Sequence, residues 1–165
     1  VSVDIGSPKF NWKEIPLIRE MDILNLGFDF SYLKNGFALN VGNPHLVFIV
    51  DKIDKKKLTD DSLKVRKSKF FPEGVNINIV EILKKNEISV LTSERGVGVT
   101  EACGTGACAS VIATNRMQLV EKRVSVNMPG GFLKVEITSN KHIFMTGTAT
   151  KVFEGKVNFE DFRNV

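Results

Sequence analysis

The sequence contains few cysteines and few large aromatic residues, and each shortage excludes a class of protein. Its two cysteines are too few for the disulfide framework that holds small secreted domains together. Its one tryptophan and one tyrosine lie outside the lysine-rich stretches 52–57 and 64–69. Aromatic rings therefore do not alternate with basic residues as they do on many nucleic-acid-binding surfaces. We interpret these lysines as a solvated face and predict no nucleic-acid partner, although the net charge is +4.

The sequence also lacks a long apolar run. No stretch approaches the roughly 20 apolar residues of a membrane-spanning helix, and no signal-peptide pattern opens the chain. The 165 residues, 42% hydrophobic and 25% charged, suffice for one globular domain with a core of its own. We predict no membrane contact and a reducing, cytoplasmic location. Because the first residue is Val1 rather than methionine, we also expect the chain to be a fragment of a longer protein.

Short strands separated by turn residues make up most of the predicted secondary structure. Apolar–polar alternation bounded by glycine, proline and asparagine indicates such strands. They are predicted at 1–5, 37–40, 46–50, 76–83, 87–93, 124–128, 132–138, 142–148, 150–154 and 157–159. Helices are predicted at 58–66, with Thr59 or Asp60 as N-cap, and at 105–119. The second helix is apolar and rich in small residues, which favours an α+β barrel-like domain with this helix inside.

The most informative segment, 94–110, reads E-R-G-V-G-V-T-E-A-C-G-T-G-A-C-A-S. It places the Cys103 thiol at a helix N-terminus, where unpaired N–H groups and the helix dipole favour an anion. That anion is either a substrate carboxylate or the thiolate of Cys103, whose pKa such a position is expected to lower. Gly104 and Gly106 let the backbone approach a ligand closely. Cys108 lies on another side of the same helix, so we interpret it as a buried small residue.

Three further segments place polar side chains on loops or strand ends: G-N-P-H at 42–45, E-G-V-N-I-N at 73–78 and E-R-G at 94–96. Arg95 can bind a carboxylate through two parallel hydrogen bonds. Asn43 and Asn76 carry amides that suit a carboxylate or an ammonium group. His45 and Glu94 supply a base and an acid. Each has a structural alternative: the histidine and the asparagines can serve turns, and Glu94 and Arg95 can form a surface pair.

The set of motifs resembles the diaminopimelate epimerase family, cofactor-independent epimerases of lysine and peptidoglycan biosynthesis. The matching stretches are V-D-I-G-S-P at 3–8, I-P-L at 15–17, G-N-P-H at 42–45, F-P-E-G-V-N-I-N at 71–78, S-E-R-G-V-G at 93–98, A-C-G-T-G-A-C-A-S at 102–110, M-P-G-G at 128–131 and V-F-E-G at 152–155. They extend over essentially the whole chain, but over only the second half of the family's protein. In that family two similar domains, each a barrel of mostly antiparallel strands around a central helix, face each other across a cleft. The resemblance implies that residues 1–148 are the C-terminal domain and that 149–165 is a terminal strand segment that packs on the missing N-terminal domain.

The resemblance also implies a reaction and a set of residue roles. LL-diaminopimelate becomes meso-diaminopimelate when one thiolate removes the α-proton and a second thiol protonates the opposite face. No cofactor or metal takes part. Only the cysteine of the second domain is present here, so the isolated chain is expected to be inactive. The implied roles are proton transfer by Cys103 with support from His45 and Glu94, distal substrate binding by Asn43, Asn76, Glu94 and Arg95, and α-carboxylate binding by Gly104 and Thr105.

Two other readings stay open at the level of sequence. One is a related cofactor-independent racemase or isomerase, such as a proline or hydroxyproline racemase. The polar residues at 43, 76, 94 and 95 favour a substrate with a second amino-acid head group, which argues against such a racemase. The other is a noncatalytic ligand-binding or oligomerisation domain. With the first half absent, residues 149–159 are expected to be displaced, self-paired or paired with a second copy, which would favour a homodimer.

Overall fold

The computed structural model describes residues 1–159, which form eleven β-strands and two α-helices. The strands are β1 (Ser2–Asp4), β2 (Phe28–Asp29), β3 (Lys34–Asn35), β4 (Phe37–Asn40), β5 (Pro44–Ile49), β6 (Asn76–Lys84), β7 (Glu87–Glu94), β8 (Gly98–Thr100), β9 (Arg123–Met128), β10 (Gly131–Ile137) and β11 (Ile143–Thr146). The helices are α1 (Lys55–Lys67) and α2 (Gly104–Arg116).

Helix α2 lies inside a curved sheet, as its composition predicts. The strands run in the order β1-β11-β10-β9-β7-β6-β5-β4, with β8 added to β7, and α2 contacts the strands from β4 to β11 along this order. Only the pairs β5–β6 and β7–β9 are parallel. Residues 106–114 of α2 are all buried, because small side chains let the enclosing strands approach the helix. The predicted α+β class and the central helix are confirmed.

The first nine residues connect the two edges of this sheet. β1 pairs with β11 at one edge, and the Ile5 N–H continues that pairing to the Ile143 carbonyl at 2.8 Å. Lys9 then exchanges two backbone hydrogen bonds, of 2.8 and 3.0 Å, with Asn40 in β4 at the other edge. Backbone groups that an open sheet would leave unpaired are thereby used, and the sheet comes close to a closed barrel.

The strands β5, β6 and β7 separate two apolar layers. Alternate residues such as Val47, Val80 and Val90 face inward to α2. The residues between them, such as Phe48 and Ile79, face outward and pack with α1 and with 15–33. This period of two follows from strand geometry. Any polar residue in phase with the inward set must therefore lie on the face that meets α2.

Helix α1 begins earlier than predicted. Its N-cap is Asp54, whose backbone is extended and whose carboxylate accepts the Lys57 N–H at 3.0 Å. The predicted caps Thr59 and Asp60 lie inside the helix, so that prediction is wrong. Lysine is a good helix former, and three lysines extend the helix back to the aspartate before them. Helix α2 ends at Arg116 rather than at 119, since Gln118 has a positive φ of 60°.

The end of the described chain differs most from expectation. Residues 147–158 form no strand, so the predicted strand at 150–154 is wrong, and the one at 157–159 is absent as well. Val152 and Phe153 are 87% and 82% exposed, so nothing within 1–159 covers these apolar side chains. Residues 160–165 of the predicted terminal segment lie outside the described residues. The short strands β2, β3 and β8 are additions to the predicted set.

Candidate active site

The predicted site residues gather where the inner face of the sheet meets the N-terminus of α2. Residues 43 and 45 lie in phase with Val47, 76 and 78 with Val80, and 92 and 94 with Val90. Each strand thus carries apolar residues deep in the barrel and polar residues at the end nearest Cys103. Hydrogen bonds connect most of these polar side chains to one another.

Cys103 is the N-cap of α2, with an extended backbone (φ −144°, ψ 106°). The residue is 8% exposed. Burial raises the pKa of the thiol, and the negative charge and hydrogen bonding of Glu94 raise it further. The Thr105 hydroxyl and the Gly106 N–H act in the opposite direction by favouring the thiolate. The expected lowering of the Cys103 pKa is therefore wrong for this chain, because desolvation outweighs the helix terminus.

Glu94 ends β7 beside the thiol. Its carboxylate accepts a hydrogen bond from the Thr100 hydroxyl at 2.7 Å. Thr100 belongs to β8, the short strand that folds back onto β7. The turn between these strands places a carboxylate within range of Cys103, and Thr100 fixes its direction. A buried thiol and a held carboxylate can exchange a proton.

His45 is fully buried on β5 and makes hydrogen bonds at both ring nitrogens. Its Nε2 lies 3.0 Å from Asn43 Oδ1 and its Nδ1 lies 3.0 Å from Asn78 Nδ2. Burial lowers the pKa of His45 to about 4. The imidazole is therefore neutral near pH 7, with one nitrogen protonated. His45 has no direct hydrogen bond to Cys103; Asn43 and Thr105 stand between them, joined at 3.4 Å.

Asn76 joins two strand ends of the site. Its amide donates to the Pro44 carbonyl at 3.1 Å and accepts the Arg95 backbone N–H at 3.0 Å. Arg95 donates from its guanidinium to the Glu73 carbonyl at 2.9 Å. Gly74 permits this approach, because a Cβ there would lie 2.8 Å from Arg95 Cδ. Arg95 itself is exposed at the rim of the site.

Three residues of the site were missed from the sequence. Asn78 and Thr92 contact the buried histidine network, and Arg66 of α1 donates to the Ser93 hydroxyl at 2.9 Å and the Glu94 carbonyl at 3.1 Å. Asn78 had a signal: it is an amide two residues after Asn76 in an apolar strand, so it shares the inner face. Arg66 had none, because its contact depends on how α1 packs on β7.

Both cysteines are free, and they differ in surroundings. Cys108 is fully buried in the main core, and burial together with Cys103 raises its pKa to about 12. Its interpretation as a buried small residue is confirmed. Within residues 1–159, no group of three or more histidine, cysteine, aspartate or glutamate side chains is arranged to hold a metal ion. Nor does any helix of this part of the chain have the length and apolarity to cross a membrane.

Fold and site together define an α+β domain in which a curved sheet encloses a helix and presents a thiol at the helix mouth. A family model described as diaminopimelate epimerase matches residues 37–152. The chain is 41% identical over 160 residues to a diaminopimelate epimerase of Zymomonas mobilis, covering 97% of this chain and 60% of that protein. It is 45% identical over 148 residues to the one of a Wolbachia from Brugia malayi, covering 89% and 56%. The chain belongs to the diaminopimelate epimerase family, and the resemblance seen in its motifs is confirmed.

The chain spans about 60% of the length of these curated relatives. Among solved structures, it is similar to a phenazine biosynthesis protein of the PhzF family from Bacillus anthracis. The TM-score is 0.44 at 17% sequence identity, over 61% of this chain and 33% of that one.

Proposed function

We propose that the chain is the C-terminal domain of a cofactor-independent diaminopimelate epimerase and supplies one of its two proton-transfer thiols. The observation that carries this proposal is the position of Cys103: a single thiol at the mouth of an enclosed helix, with the carboxylate of Glu94 beside it. Inverting a stereocentre needs a base on one face and an acid on the other. One domain with one suitably placed thiol fits half of that requirement.

In the proposed step, Cys103 acts as a thiol that is protonated at rest. Since burial and Glu94 raise its pKa, the thiol can protonate the planar carbanion from one face. In the reverse direction Glu94 takes the thiol proton, and the thiolate then removes the substrate α-proton. The electron pair of the broken C–H bond moves into the α-carboxylate. That developing charge is stabilised by the N–H groups of Gly104 and Thr105 at the helix terminus.

The distal amino-acid end of the substrate is assigned to the opposite side of the site. Asn43 and Asn76 lie on the strand ends that face α2, and Arg95 stands at the rim with the planar guanidinium that a carboxylate binds best. Glu94, next to Arg95 in the chain, is assigned to the ammonium group at this end of the substrate. His45, buried beneath Asn43, supports substrate placement and proton transfer through its hydrogen bond to that residue. These residues would select a substrate with two amino-acid head groups.

The remaining half of the site is assigned to a preceding N-terminal domain. Two facts support this: the chain covers about 60% of its relatives, and apolar side chains such as Val152 and Phe153 are exposed beyond β11. In the whole enzyme 149–165 would pack on that domain; in the isolated chain the same segment could pair two copies. We propose a cytoplasmic enzyme with no cofactor, no metal, and neither nucleic acid nor membrane as a partner.

Reconstitution tests this function. The chain is mixed with the N-terminal half of the Zymomonas mobilis relative, and conversion of LL- to meso-diaminopimelate is followed chromatographically. We expect no conversion by either half alone and conversion by the mixture. A fusion of the two halves in one chain serves as the control for weak association. Epimerisation by the 165-residue chain alone at an enzymatic rate would overturn the two-domain requirement.

A further inference from the structure

A continuous row of hydrogen bonds crosses the barrel from β7 to the catalytic thiol. Its successive contacts are Thr92 Oγ1 to Asn78 Oδ1 at 2.9 Å, Asn78 Nδ2 to His45 Nδ1 at 3.0 Å, His45 Nε2 to Asn43 Oδ1 at 3.0 Å, Asn43 Nδ2 to Thr105 Oγ1 at 3.4 Å and Thr105 Oγ1 to Cys103 Sγ at 3.7 Å. The first half of the row, as far as His45, is buried. Six side chains thus form one path: one each from β7, β6 and β5, one from the turn before β5, and two from the start of α2.

The direction of this row is fixed at its buried end. The amide of Asn78 also lies 3.4 Å from the Leu46 carbonyl oxygen. A carbonyl can only accept, so the atom of Asn78 that faces it must be the NH₂ group. The same NH₂ group faces His45 Nδ1, which must therefore accept. The Asn78 oxygen is left for Thr92, whose hydroxyl donates to it.

From His45 outward, the donor and acceptor of each hydrogen bond follow from those of the bond before it. If Nδ1 of the neutral imidazole accepts, Nε2 carries the proton and donates. The atom of Asn43 facing Nε2 is then its oxygen, and its NH₂ group is turned to Thr105. That contact uses a lone pair of the Thr105 oxygen and leaves its hydrogen free for the Cys103 sulfur. Every donor in the row therefore points toward the thiol.

Close packing keeps the buried end in place. Gly106, in the first turn of α2, approaches both side chains, and a Cβ there would lie 2.6 Å from Asn78 Oδ1 and 2.7 Å from Thr92 Oγ1. Asn78 and Thr92 are 0% and 2% exposed. An amide rotated by 180° would turn its oxygen toward the Leu46 carbonyl oxygen, and neither of these oxygens can donate. In the buried setting such a mismatch has no water to relieve it.

We propose that Asn78 is a positioning residue that holds His45 as the neutral Nε2–H tautomer, so that His45 faces the site as a hydrogen-bond donor. That this position matters for a reaction rests on the function proposed above. The tautomer of His45 does not depend on that function. In this arrangement His45 has no lone pair to offer at Nε2 and does not serve as a resting base. Its N–H instead orients Asn43, and through Thr105 it supports the thiolate form of Cys103.

The histidine tautomer can be measured directly in the 165-residue chain. The sequence contains two histidines, so long-range ¹H–¹⁵N correlation spectra show two imidazoles, and His142→Gln assigns them. At pH 7 we expect His45 to show an unprotonated Nδ1 and a protonated Nε2. His142 is half-exposed, and its Nδ1 lies 2.8 Å from a carboxylate oxygen of Asp4. Because a carboxylate accepts, His142 should show a protonated Nδ1 and serves as the internal control. A protonated Nδ1 on His45, as the other tautomer or as imidazolium, would overturn the proposal.

Asn78→Asp provides the matched perturbation. A carboxylate can only accept, so His45 must then donate from Nδ1, and we expect its Nδ1 resonance to move to the protonated position. Asn25→Asp makes the same change of charge in an exposed turn, where the side-chain oxygen accepts the Gly27 N–H at 2.9 Å; it should leave both histidines unchanged. An unaltered His45 spectrum in a folded Asn78→Asp variant would also overturn the proposal. The wild-type spectrum decides the matter even if this variant does not fold.

The outcome is separable from that of the proposed function. If His45 is the Nε2–H tautomer but the reconstituted enzyme fails to epimerise, the positioning role is supported and the proposed function is contradicted. If His45 is the Nδ1–H tautomer and the reconstituted enzyme is active, the proposed function is supported and the positioning role is contradicted.

Discussion

The Cys103 sulfur lies 3.7 Å from the Thr105 hydroxyl, two residues along the chain in the first turn of α2. The short spacing is possible because Cys103 is extended as the N-cap, while Thr105 is already helical. The hydroxyl stabilises the thiolate, in opposition to burial and to Glu94. The reactivity of the thiol therefore reflects a balance that single substitutions can shift.

Replacing Thr105 with valine should make Cys103 less reactive. The thiolate loses one hydrogen bond, worth about 1 kcal/mol, which corresponds to a roughly fivefold lower alkylation rate by iodoacetamide near pH 8. Thr105→Ser keeps the hydroxyl and should keep the wild-type rate. Cys103→Ala measures any labelling of the buried Cys108. Equal rates in the valine and serine variants would show that the hydroxyl does not act on the sulfur.

The free energy of unfolding should fall between pH 6.5 and pH 4 because of His45. Its pKa is about 4 when folded, against 6.5 for an ordinary histidine, so the unfolded chain binds more protons across this interval. The stability from neutral His45 is thus complete above pH 6.5 and is lost as the pH falls toward 4, by about 3 kcal/mol in total. Denaturant titrations at several pH values measure this slope. His45→Gln should flatten it, whereas His142→Gln should not; equal slopes in all three proteins would contradict the assignment.

Gly106→Ala should destabilise the domain although alanine favours a helix. The intrinsic gain of about 1 kcal/mol is opposed by overlap with Asn78 Oδ1 and Thr92 Oγ1, both buried and hydrogen-bonded. We expect a net loss of about 1–3 kcal/mol in chemical denaturation. Gly104→Ala is the matched control, since its Cβ meets the flexible end of Met145 and should cost less. A Gly106→Ala protein as stable as wild type would show that the approach of α2 is looser than described.

Val152→Ser combined with Phe153→Ser should weaken association with the N-terminal half without changing the stability of the isolated chain. Both side chains are exposed, so the free energy of unfolding of the isolated chain should change by less than about 0.5 kcal/mol. Binding to the N-terminal half, measured by calorimetry, should weaken, because apolar area is no longer buried there. A double change to serine at Ile18 and Leu24, which are also apolar and exposed, is the matched control for altered surface polarity. Unchanged affinity would place the domain contact elsewhere.

Much of the fold could be predicted because local patterns and tertiary structure agree. The alternation around Asn76 and the small residues of α2 each point to one arrangement, and the barrel satisfies both. The start of α1 was missed because a lysine run conceals a helix that only Asp54 caps. The strand predicted at 150–154 has suitable residues, but a strand needs a partner, and none is provided within 1–159.

The candidate site was predicted in its polar members but not in how they are connected. Cys103, His45 and Asn43 stand out in motifs, yet the row of hydrogen bonds that joins them through Thr105 continues beyond His45 to Asn78 and Thr92. The role of these last two residues depends on which strands are neighbours. The pKa of Cys103 was predicted in the wrong direction for a similar reason. A helix terminus can be seen in a sequence, whereas the burial that outweighs it arises only when the curved sheet packs around α2.

Cys103 is proposed to transfer the substrate α-proton, and hydrogen exchange with solvent measures this transfer at the α-carbon. The fused two-half enzyme is incubated with LL-diaminopimelate in D₂O, and the exchange that accompanies inversion, deuterium at the inverted α-carbon of the meso product, is followed by chromatography and mass spectrometry. We predict that Cys103→Ala lowers the rate of incorporation by about 10²–10⁴-fold, while Cys108→Ala exchanges at close to the wild-type rate. Wild-type exchange in a folded Cys103→Ala enzyme would exclude Cys103 as a proton-transfer thiol.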